Sequence, residues 1–290
     1  MYFMQGYREQ ISLYFELKNL PESTQESYLR RIEKFWEYIE QQHKTIEEIT
    51  TADIHQFIIY LKHERNLSPG TINNYISALK QFNTHCLDGQ WNNQKVLRMK
   101  RNHSLPVLPP KEDILKLINS TDNFKHLAIL SLLYGSGLRV NEVAKLKIRD
   151  ICSKTMRVRV EHGKHDTFRY TILSHNSLTI LRKYFARYFT PNYTPEDWLF
   201  PGRKPGSHIT IKTIKNLIIK LREKLQLDSR ISAHTLRHAF ATHSLEQGTD
   251  IAYIQQLLGH KSLTTTSIYL HMTSKSFMHI SSPLDEQEVE

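Results

Sequence analysis

The stretch Gly135-Ser-Gly-Leu-Arg-Val-Asn-Glu142 places an arginine directly after a glycine-containing turn and three residues before a glutamate. Helical patterns lie on both sides of it, so the stretch predicts a turn followed by the start of a helix. One interpretation is structural, an ion pair between Arg139 and Glu142 at that helix start. The other is an anion site, because a guanidinium group gives phosphate two parallel hydrogen bonds and keeps its charge. The stretch does not match a dinucleotide-binding loop, since no strand precedes it and the glycine spacing differs.

Two later stretches carry side chains suited to the same chemistry. In His234-Thr-Leu-Arg237-His238 the first histidine and the arginine share a helix face. Leu258-Gly-His260 is followed by a polar run that ends at Tyr269. Zinc is the competing interpretation for His234 and His238, but the glutamate of the zinc-protease helix is missing and no third ligand is evident. Breaking a phosphodiester without metal requires fixed positive donors, an acid and a nucleophile, and a tyrosine can form a covalent phosphoester.

Between the Arg139 stretch and the His234 stretch, the spacing of apolar residues changes from a helical period to the period of two that is typical of strands. Residues 156–161 and 168–172 alternate, and Gly163-Lys-His-Asp166 between them is typical of a turn. The pattern predicts a β-hairpin with Lys164 at its tip, and helices resume after Ser174.

The first hundred residues predict a bundle of four amphipathic helices. Ser23 and Glu26 have capping-box spacing, and Ser68-Pro69 is typical of another helix start. The predicted apolar stripes are Ile11, Leu13, Tyr14 and Leu17; Tyr28, Ile32, Phe35, Trp36 and Ile39; Ile54, Phe57, Ile58 and Leu61; and Ile72, Ile76, Leu79 and Phe82. Periodicity is then lost, which predicts a linker over residues 89–104. Its basic residues either follow a phosphate backbone or are simply solvated: Lys95, Arg98, Lys100 and Arg101.

The charge of the chain is concentrated in its C-terminal part. The formal net charge is +10; residues 1–103 carry 13 Lys and Arg against 12 Asp and Glu, and residues 104–290 carry 26 against 17. Such a surplus favours a polyanionic partner, although a basic protein without a nucleic-acid role is also consistent with it. No apolar run is long enough to span a bilayer, and the first ten residues do not have a signal-peptide pattern. Two cysteines far apart in the sequence favour a reduced, cytoplasmic protein.

Taken in chain order, these motifs resemble the catalytic domain of tyrosine recombinases, the family of phage integrases and Xer-type resolvases. The resemblance runs from about Leu105 to Tyr269, and Ser68-Pro-Gly-Thr71 through Tyr75 resembles the family's N-terminal core-binding domain. It implies a mainly α fold with a small β-hairpin or sheet (α+β). A SAM-like helical core-binding domain would cover residues 1–88, the linker 89–104, the catalytic domain 105–272 and a tail 273–290.

The resemblance also implies roles for the matching residues. Tyr269 is the expected nucleophile, forming a 3′-phosphotyrosyl link and releasing a 5′-hydroxyl, and Lys164 is the expected general acid. Arg139 and Arg237 are the expected phosphate ligands. His234 and His260 are expected to hydrogen-bond the phosphate and to assist proton transfer. Glu142 is expected to steady its catalytic neighbours, and His238 to pack behind the helix. Candidate DNA contacts in the N-terminal domain are Thr71 and Asn74.

No metal or other cofactor is expected from this resemblance. The implied partners are a double-stranded DNA recombination site and further copies of the chain, in a homotetramer on DNA, with a second recombinase or an accessory protein remaining open. Residues Phe277, Met278 and Ile280 either anchor an exchanged tail on a neighbouring subunit or pack on their own domain. The expected outcome is strand exchange through a Holliday junction in a nucleoid-associated, cytoplasmic enzyme. The alternatives are a DNA-relaxing enzyme like type IB topoisomerases and a non-catalytic DNA-binding protein with the same fold.

Overall fold

In the computed structural model the chain divides into two compact units, Met1–His103 and Ser104–Glu290. The structure describes residues 2–46, 48–87, 91–100, 108–161, 168–190 and 192–270. Lys164 at the predicted hairpin tip, Arg101 and the tail from residue 271 therefore lie outside the described residues, as do the tail anchors Phe277, Met278 and Ile280.

The first unit contains the four predicted helices. They are α1 (Tyr2–Leu17), α2 (Glu22–Glu40), α3 (Thr51–His63) and α4 (Pro69–Cys86). Their inward faces form one apolar core in which Phe35, Trp36, Phe57 and Phe82 are almost completely buried. Ser68 caps α4 by accepting a hydrogen bond from the backbone N–H of Thr71, as its sequence predicts.

Two details of this bundle differ from the sequence prediction. The prediction of a capping box at Ser23 and Glu26 is wrong. Helix α2 starts earlier, at Glu22 after Pro21, so Ser23 lies inside its first turn. A capping box does occur at α3, between Thr50 and Asp53. In α1, Ile11 and Phe15 are buried whereas Leu13 and Leu17 are exposed. Positions two apart on a helix point to opposite sides, so only the i, i+4 pair can face the core.

Residues 91–100, predicted as part of a linker, pack on the first unit. The side-chain amide of Asn73 donates to the carbonyl of Met99 at 2.9 Å and its oxygen accepts from the Met99 N–H at 2.8 Å. Val96 is buried in the helical core. These contacts fix the segment on α4 and leave the side chains of Lys95, Arg98 and Lys100 exposed.

The second unit combines helices with one small sheet, which confirms the predicted mainly α fold. Its first helices are α5 (Lys111–Ile118), α6 (Phe124–Gly135) and α7 (Val140–Ala144). After the sheet follow α8 (His175–Tyr188), α9 (Ile211–Lys224), α10 (Ala233–Glu246), α11 (Ile251–Leu258) and α12 (Leu263–Thr266). A short 3-10 helix, Ser267–Tyr269, ends the described chain. None of the helices in the described ranges has the length and apolar character needed to cross a bilayer.

The sheet has three antiparallel strands in the order β1-β2-β3. Strands β2 (Arg157–Glu161) and β3 (Phe168–Ile172) are the predicted hairpin strands, and β1 (Ile151–Cys152) was too short to show a period. Val158 and Val160 face the core, whereas Arg159 lies opposite Tyr170 in the β2–β3 register. This register places Arg169 on the inner side of β3, facing α11.

Candidate active site

The turn between α6 and α7 is held close to α10 by a glycine. Gly137 has φ of +61°, and a Cβ there would lie 2.3 Å from Cδ1 of Phe240. Only a residue without a side chain fits this conformation and this approach. The turn therefore places Arg139, at the start of α7, near the C-terminal end of α11, where it donates to the carbonyl of Leu258.

Glu142 is the anionic centre of the site. Its carboxylate accepts two hydrogen bonds from Arg169, at 2.8 and 2.9 Å, and one from the Nη1 of Arg139 at 2.9 Å. It also accepts from the backbone N–H of Arg139 at 2.7 Å, and the Nη1 of Arg237 lies 3.7 Å away. The ion pair predicted between Arg139 and Glu142 is thus present, but it belongs to a cluster of three arginines around one carboxylate.

The charge state of Glu142 follows from these contacts. Burial by itself would raise its pKa, because it penalises the charged form. The hydrogen bonds and charge of Arg169, the N–H of Arg139 and the charge of Arg237 outweigh burial and lower the pKa to about 2. Glu142 is therefore ionised at neutral pH and offsets the repulsion among the arginines.

Arg237 is buried, with 4% of its surface exposed. It donates to the carbonyl oxygens of Gly137 at 2.7 Å and Leu258 at 2.6 Å. Arg139 donates to the same Leu258 oxygen at 3.3 Å, so one main-chain atom joins the two arginines predicted to bind phosphate. Burial and then the charge of Arg139 lower the pKa of Arg237 to about 10, which leaves it charged at neutral pH.

His260 follows the left-handed cap of α11, Gly259, and contacts Arg237. Its Nε2 lies 3.3 Å from the Nη2 of Arg237, and its Nδ1 lies 2.9 Å from the hydroxyl oxygen of Thr266. A guanidinium can only donate, so we assign Nε2 as the acceptor and Nδ1 as the protonated nitrogen. Burial, followed by the charges of Arg237, Arg139 and Arg169, lowers the pKa of His260 to about 4. The ring is therefore neutral at pH 7.

Tyr269 lies in the same site, with 2% of its surface exposed. Its ring packs with Phe240 of α10 and with Ile254 and Leu258 of α11. Its hydroxyl lies 3.0 Å from the Nδ1 of His238. Burial raises its pKa, and the charges of Arg237 and Arg139 oppose that rise. The phenol is thus protonated at neutral pH and lies within the field of both arginines.

The structure brings together most of the residues that the sequence selects. Five of them lie around Leu258, the last residue of α11: Arg139, Glu142, Arg237, His260 and Tyr269. His234 is exposed on α10, and burial, Lys215, Arg237 and Arg139 lower its pKa, which places it in the same positive field. In the first unit, Asn74 is exposed, and the Thr71 hydroxyl lies 3.0 Å from that of Ser68.

Two residues of the site were not selected from the sequence. Arg169 is one of these two residues, because the β3 register that directs it towards Glu142 is a tertiary feature. His238 was assigned to packing, but it contacts the Tyr269 hydroxyl. The spacing of His234 and His238, four residues apart on one helix face, was the available signal. In the described ranges no group of three or more His, Cys, Asp or Glu side chains could hold a metal ion.

Comparisons with known proteins agree on both units. Residues 110–276 match the model of the phage integrase family, and residues 7–93 match the N-terminal SAM-like domain of phage integrases. The integrase/recombinase homologue y4qK of Sinorhizobium fredii is 36% identical, over 96% of this chain and 88% of its own. Tyrosine recombinase XerA of Pyrococcus horikoshii is 32% identical, over 92% of this chain and 89% of its own.

Solved structures show the same fold. The crystal structure of the XerH site-specific recombinase bound to a palindromic difH substrate superposes with a TM-score of 0.71 at 22% identity, covering 89% of this chain and 78% of that one. With the sequence matches to both units, the conclusion is that the chain belongs to the phage integrase family and is a tyrosine recombinase, an enzyme that cleaves and rejoins DNA.

Proposed function

We propose that this enzyme performs site-specific recombination with Tyr269 as its nucleophile and with Arg139 and Arg237 as the ligands of the scissile phosphate. The observation that carries the proposal is the single carbonyl of Leu258 to which both guanidinium groups donate, since the side chain of Leu258 belongs to the same apolar cluster as Tyr269. Two positive groups fixed by the main chain beside a phenol form a preorganised pocket for an attacked phosphate.

The exposed part of the Arg139 guanidinium group supports this role. In the guanidinium group of Arg139, Nη1 is the one nitrogen that is hydrogen-bonded to described residues. The Arg139 side chain is 34% exposed. Among the described residues its Nε and Nη2 groups have no hydrogen-bond acceptor, and both can donate to phosphate oxygens. Glu142 and the carbonyl oxygens of Leu258 and Gly137 hold the two guanidinium groups in place before DNA arrives, so little reorganisation is needed during the reaction.

The proposed step transfers the phosphate from DNA to the enzyme. The Tyr269 oxygen forms a bond to phosphorus, the bond from phosphorus to the 5′-oxygen breaks, and that oxygen receives a proton from a general acid. We assign the acid to Lys164, and hydrogen bonding to the phosphate to His234 and His260. The phosphotyrosine conserves the bond energy, so the reverse attack by a 5′-hydroxyl rejoins DNA without a high-energy cofactor.

The proposed partner is a double-stranded recombination site bound by a homotetramer in which strands are exchanged through a Holliday junction. The concentration of positive charge in the second unit supports binding of a polyanion. Residues 1–88 would clamp the DNA, with Lys95, Arg98, Lys100, Arg101, Thr71 and Asn74 as candidate contacts. The tail 273–290 would pass to a neighbouring subunit, and the enzyme would act at the nucleoid.

Covalent capture tests the nucleophile and selects the DNA site in one experiment. A pool of nicked duplexes with a randomised centre is incubated with the full chain, and denaturation-resistant protein–DNA complexes are isolated and sequenced. Wild-type protein is expected to enrich one sequence, and Tyr269→Phe is expected to yield no covalent complex while it still binds the enriched duplex in a native gel.

Tyr253→Phe is the matched control, because Tyr253 is an exposed tyrosine on the neighbouring helix α11. It should form the covalent complex at the wild-type rate. A covalent complex with Tyr269→Phe, or its loss in Tyr253→Phe alone, would contradict the assignment.

A further inference from the structure

The Tyr269 hydroxyl needs an acceptor for its proton when it attacks phosphorus. Its pKa is raised by burial, so the group begins the reaction as a neutral phenol. A phenol oxygen bonded to phosphorus cannot keep its proton, and the group that accepts it contributes to the rate.

The acceptor in the structure is His238. Its Nδ1 lies 3.0 Å from the Tyr269 oxygen, and the other charged neighbours, Arg139 and Arg237, can only donate. The ring centroid of His260 is 6.4 Å from that of Tyr269, and its Nε2 already accepts from Arg237. Within the described ranges no other hydrogen-bond acceptor reaches the Tyr269 hydroxyl. A buried O–H without an acceptor is costly, so we assign the phenol as donor and Nδ1 as acceptor.

The surroundings of His238 keep it able to accept. Its pKa is lowered first by burial and then by the charges of His234 and Arg237 on its own helix. His260, between α11 and α12, faces it as well, and Tyr269 is its partner from the 3-10 helix. At neutral pH the ring is therefore uncharged, and a lone pair is available on Nδ1.

We propose that His238 is the general base of DNA cleavage, a role that rests on the proposed assignment of Tyr269 as nucleophile. As the Tyr269 oxygen bonds to phosphorus, its proton moves to Nδ1 of His238, while the leaving 5′-oxygen takes a proton from the separate general acid. On rejoining, the 5′-hydroxyl gives its proton back to the deprotonated general acid as it bonds to phosphorus, and the protonated His238 returns its proton to the departing Tyr269 oxygen. Each strand exchange thus leaves His238 as it began.

The substitution His238→Asn separates proton transfer from positioning. The Oδ1 atom of asparagine occupies the place of Nδ1 and can accept the same hydrogen bond, but an amide does not take up a proton at neutral pH. We expect His238→Asn to bind the captured duplex normally and to form the covalent complex about a hundredfold or more slowly, the size of a lost acid–base contribution.

A modified substrate distinguishes base from acid. The captured duplex is prepared with sulfur in place of the bridging 5′-oxygen at the scissile phosphate. A thiol has a far lower pKa than an alcohol, so a thiolate leaves without protonation. This substrate should restore the rate of Lys164→Ala, the proposed acid variant, and should leave the defect of His238→Asn unchanged.

The pH profile is a second readout that a structural role would not change. With the sulfur substrate, wild-type cleavage should slow as the pH falls below the ordinary histidine range and Nδ1 becomes protonated. His238→Asn should lack this component of the profile.

His243→Asn is the matched control. His243 lies on the same helix, is half-buried, and its Nδ1 lies 2.9 Å from the hydroxyl of Tyr134. It should cleave at the wild-type rate, and its thermal unfolding shows what the loss of such a pair does to the fold. Wild-type cleavage by His238→Asn, or rescue of that variant by the sulfur substrate, would overturn the proposal. Failure of Tyr269→Phe to abolish the covalent complex would instead refute the proposed nucleophile.

Discussion

Glu142 is the residue on which the geometry of the arginines depends. Like charges repel, and three guanidinium groups in a buried space require an anion among them. Both Glu142 and Arg169 have only 8% of their side chains exposed, and two parallel hydrogen bonds join them. We therefore expect Glu142 to affect catalysis through the arginines that it holds.

Replacement of Glu142 by glutamine should destabilise the protein strongly at neutral pH. The variant leaves Arg169 buried without its anion, a change that typically costs about 3–5 kcal/mol. Urea unfolding at pH 7 measures the loss. Glu196→Gln is the control, because Glu196 pairs with Lys147 at the surface, and it should unfold like the wild type.

The loss caused by Glu142→Gln should also depend on pH. The pKa of Glu142 is about 2 in the folded protein and 4.5 in a free side chain. Its contribution is therefore complete above pH 4.5 and is lost as the pH falls towards 2, by about 3 kcal/mol. The difference in unfolding free energy between wild type and variant should shrink over that range. An equal difference at pH 7 and pH 3 would contradict the proposed ion pair.

At the scale of elements, the end of α11 determines where the site forms. Gly259 ends the helix with φ of +64°, and a Cβ on it would lie 2.7 Å from Cδ of Arg169. Arg169 cannot easily withdraw, because Glu142 and the carbonyl of Leu257 both hold it. The helix end and the strand therefore fit together only through a glycine.

Gly259→Ala should lower both stability and cleavage. The left-handed conformation alone costs an alanine about 1 kcal/mol, and the contact with Arg169 adds to it. Gly248→Ala is the control, because Gly248 has φ of +91° with nothing within 4 Å of a Cβ, so it has the strain without the contact. Chemical unfolding and covalent-complex formation should rank wild type, Gly248→Ala and Gly259→Ala in that order.

Helices and strands whose apolar residues recur at a regular spacing could be predicted from the sequence. Contacts between these elements could not. The four N-terminal helices and strands β2 and β3 follow from hydrophobic period, and the order of the motifs selected Arg139, Arg237, His260 and Tyr269. The two residues of β1 are too few to show alternation. His238 contacts Tyr269 because α10 packs against the following 3-10 helix. The spacing of His234 and His238 predicts a shared helix face but not this contact.

At the scale of the whole molecule, both compact units carry basic residues. The second unit carries most of the net charge, and the first presents Lys95, Arg98 and Lys100 on a segment fixed to α4. If these three side chains bind phosphates, each releases counterions from the DNA.

The triple variant Lys95→Gln, Arg98→Gln, Lys100→Gln should weaken DNA binding and flatten its salt dependence. The slope of log affinity against log salt should become shallower by about 0.9 for each phosphate contact removed. The control replaces Arg8, Lys18 and Lys34 by glutamine; these three already contact Glu33, the Tyr14 ring and Glu37, respectively. Equal slopes for the two triple variants would contradict a specific contact by the 91–100 segment.

The Leu258 oxygen that joins Arg139 and Arg237 belongs to the peptide link, so no genetically encoded substitution at that position can delete it. Point mutation of the side chain can only displace this acceptor, and every natural variant of residue 258 retains it. Chemical synthesis can weaken this oxygen as a hydrogen-bond acceptor. An ester in place of the amide between residues 258 and 259 would keep the carbonyl but make it a poorer acceptor. Amino-acid substitution, the ordinary way in which protein sequences vary, therefore cannot remove the atom that binds both arginines.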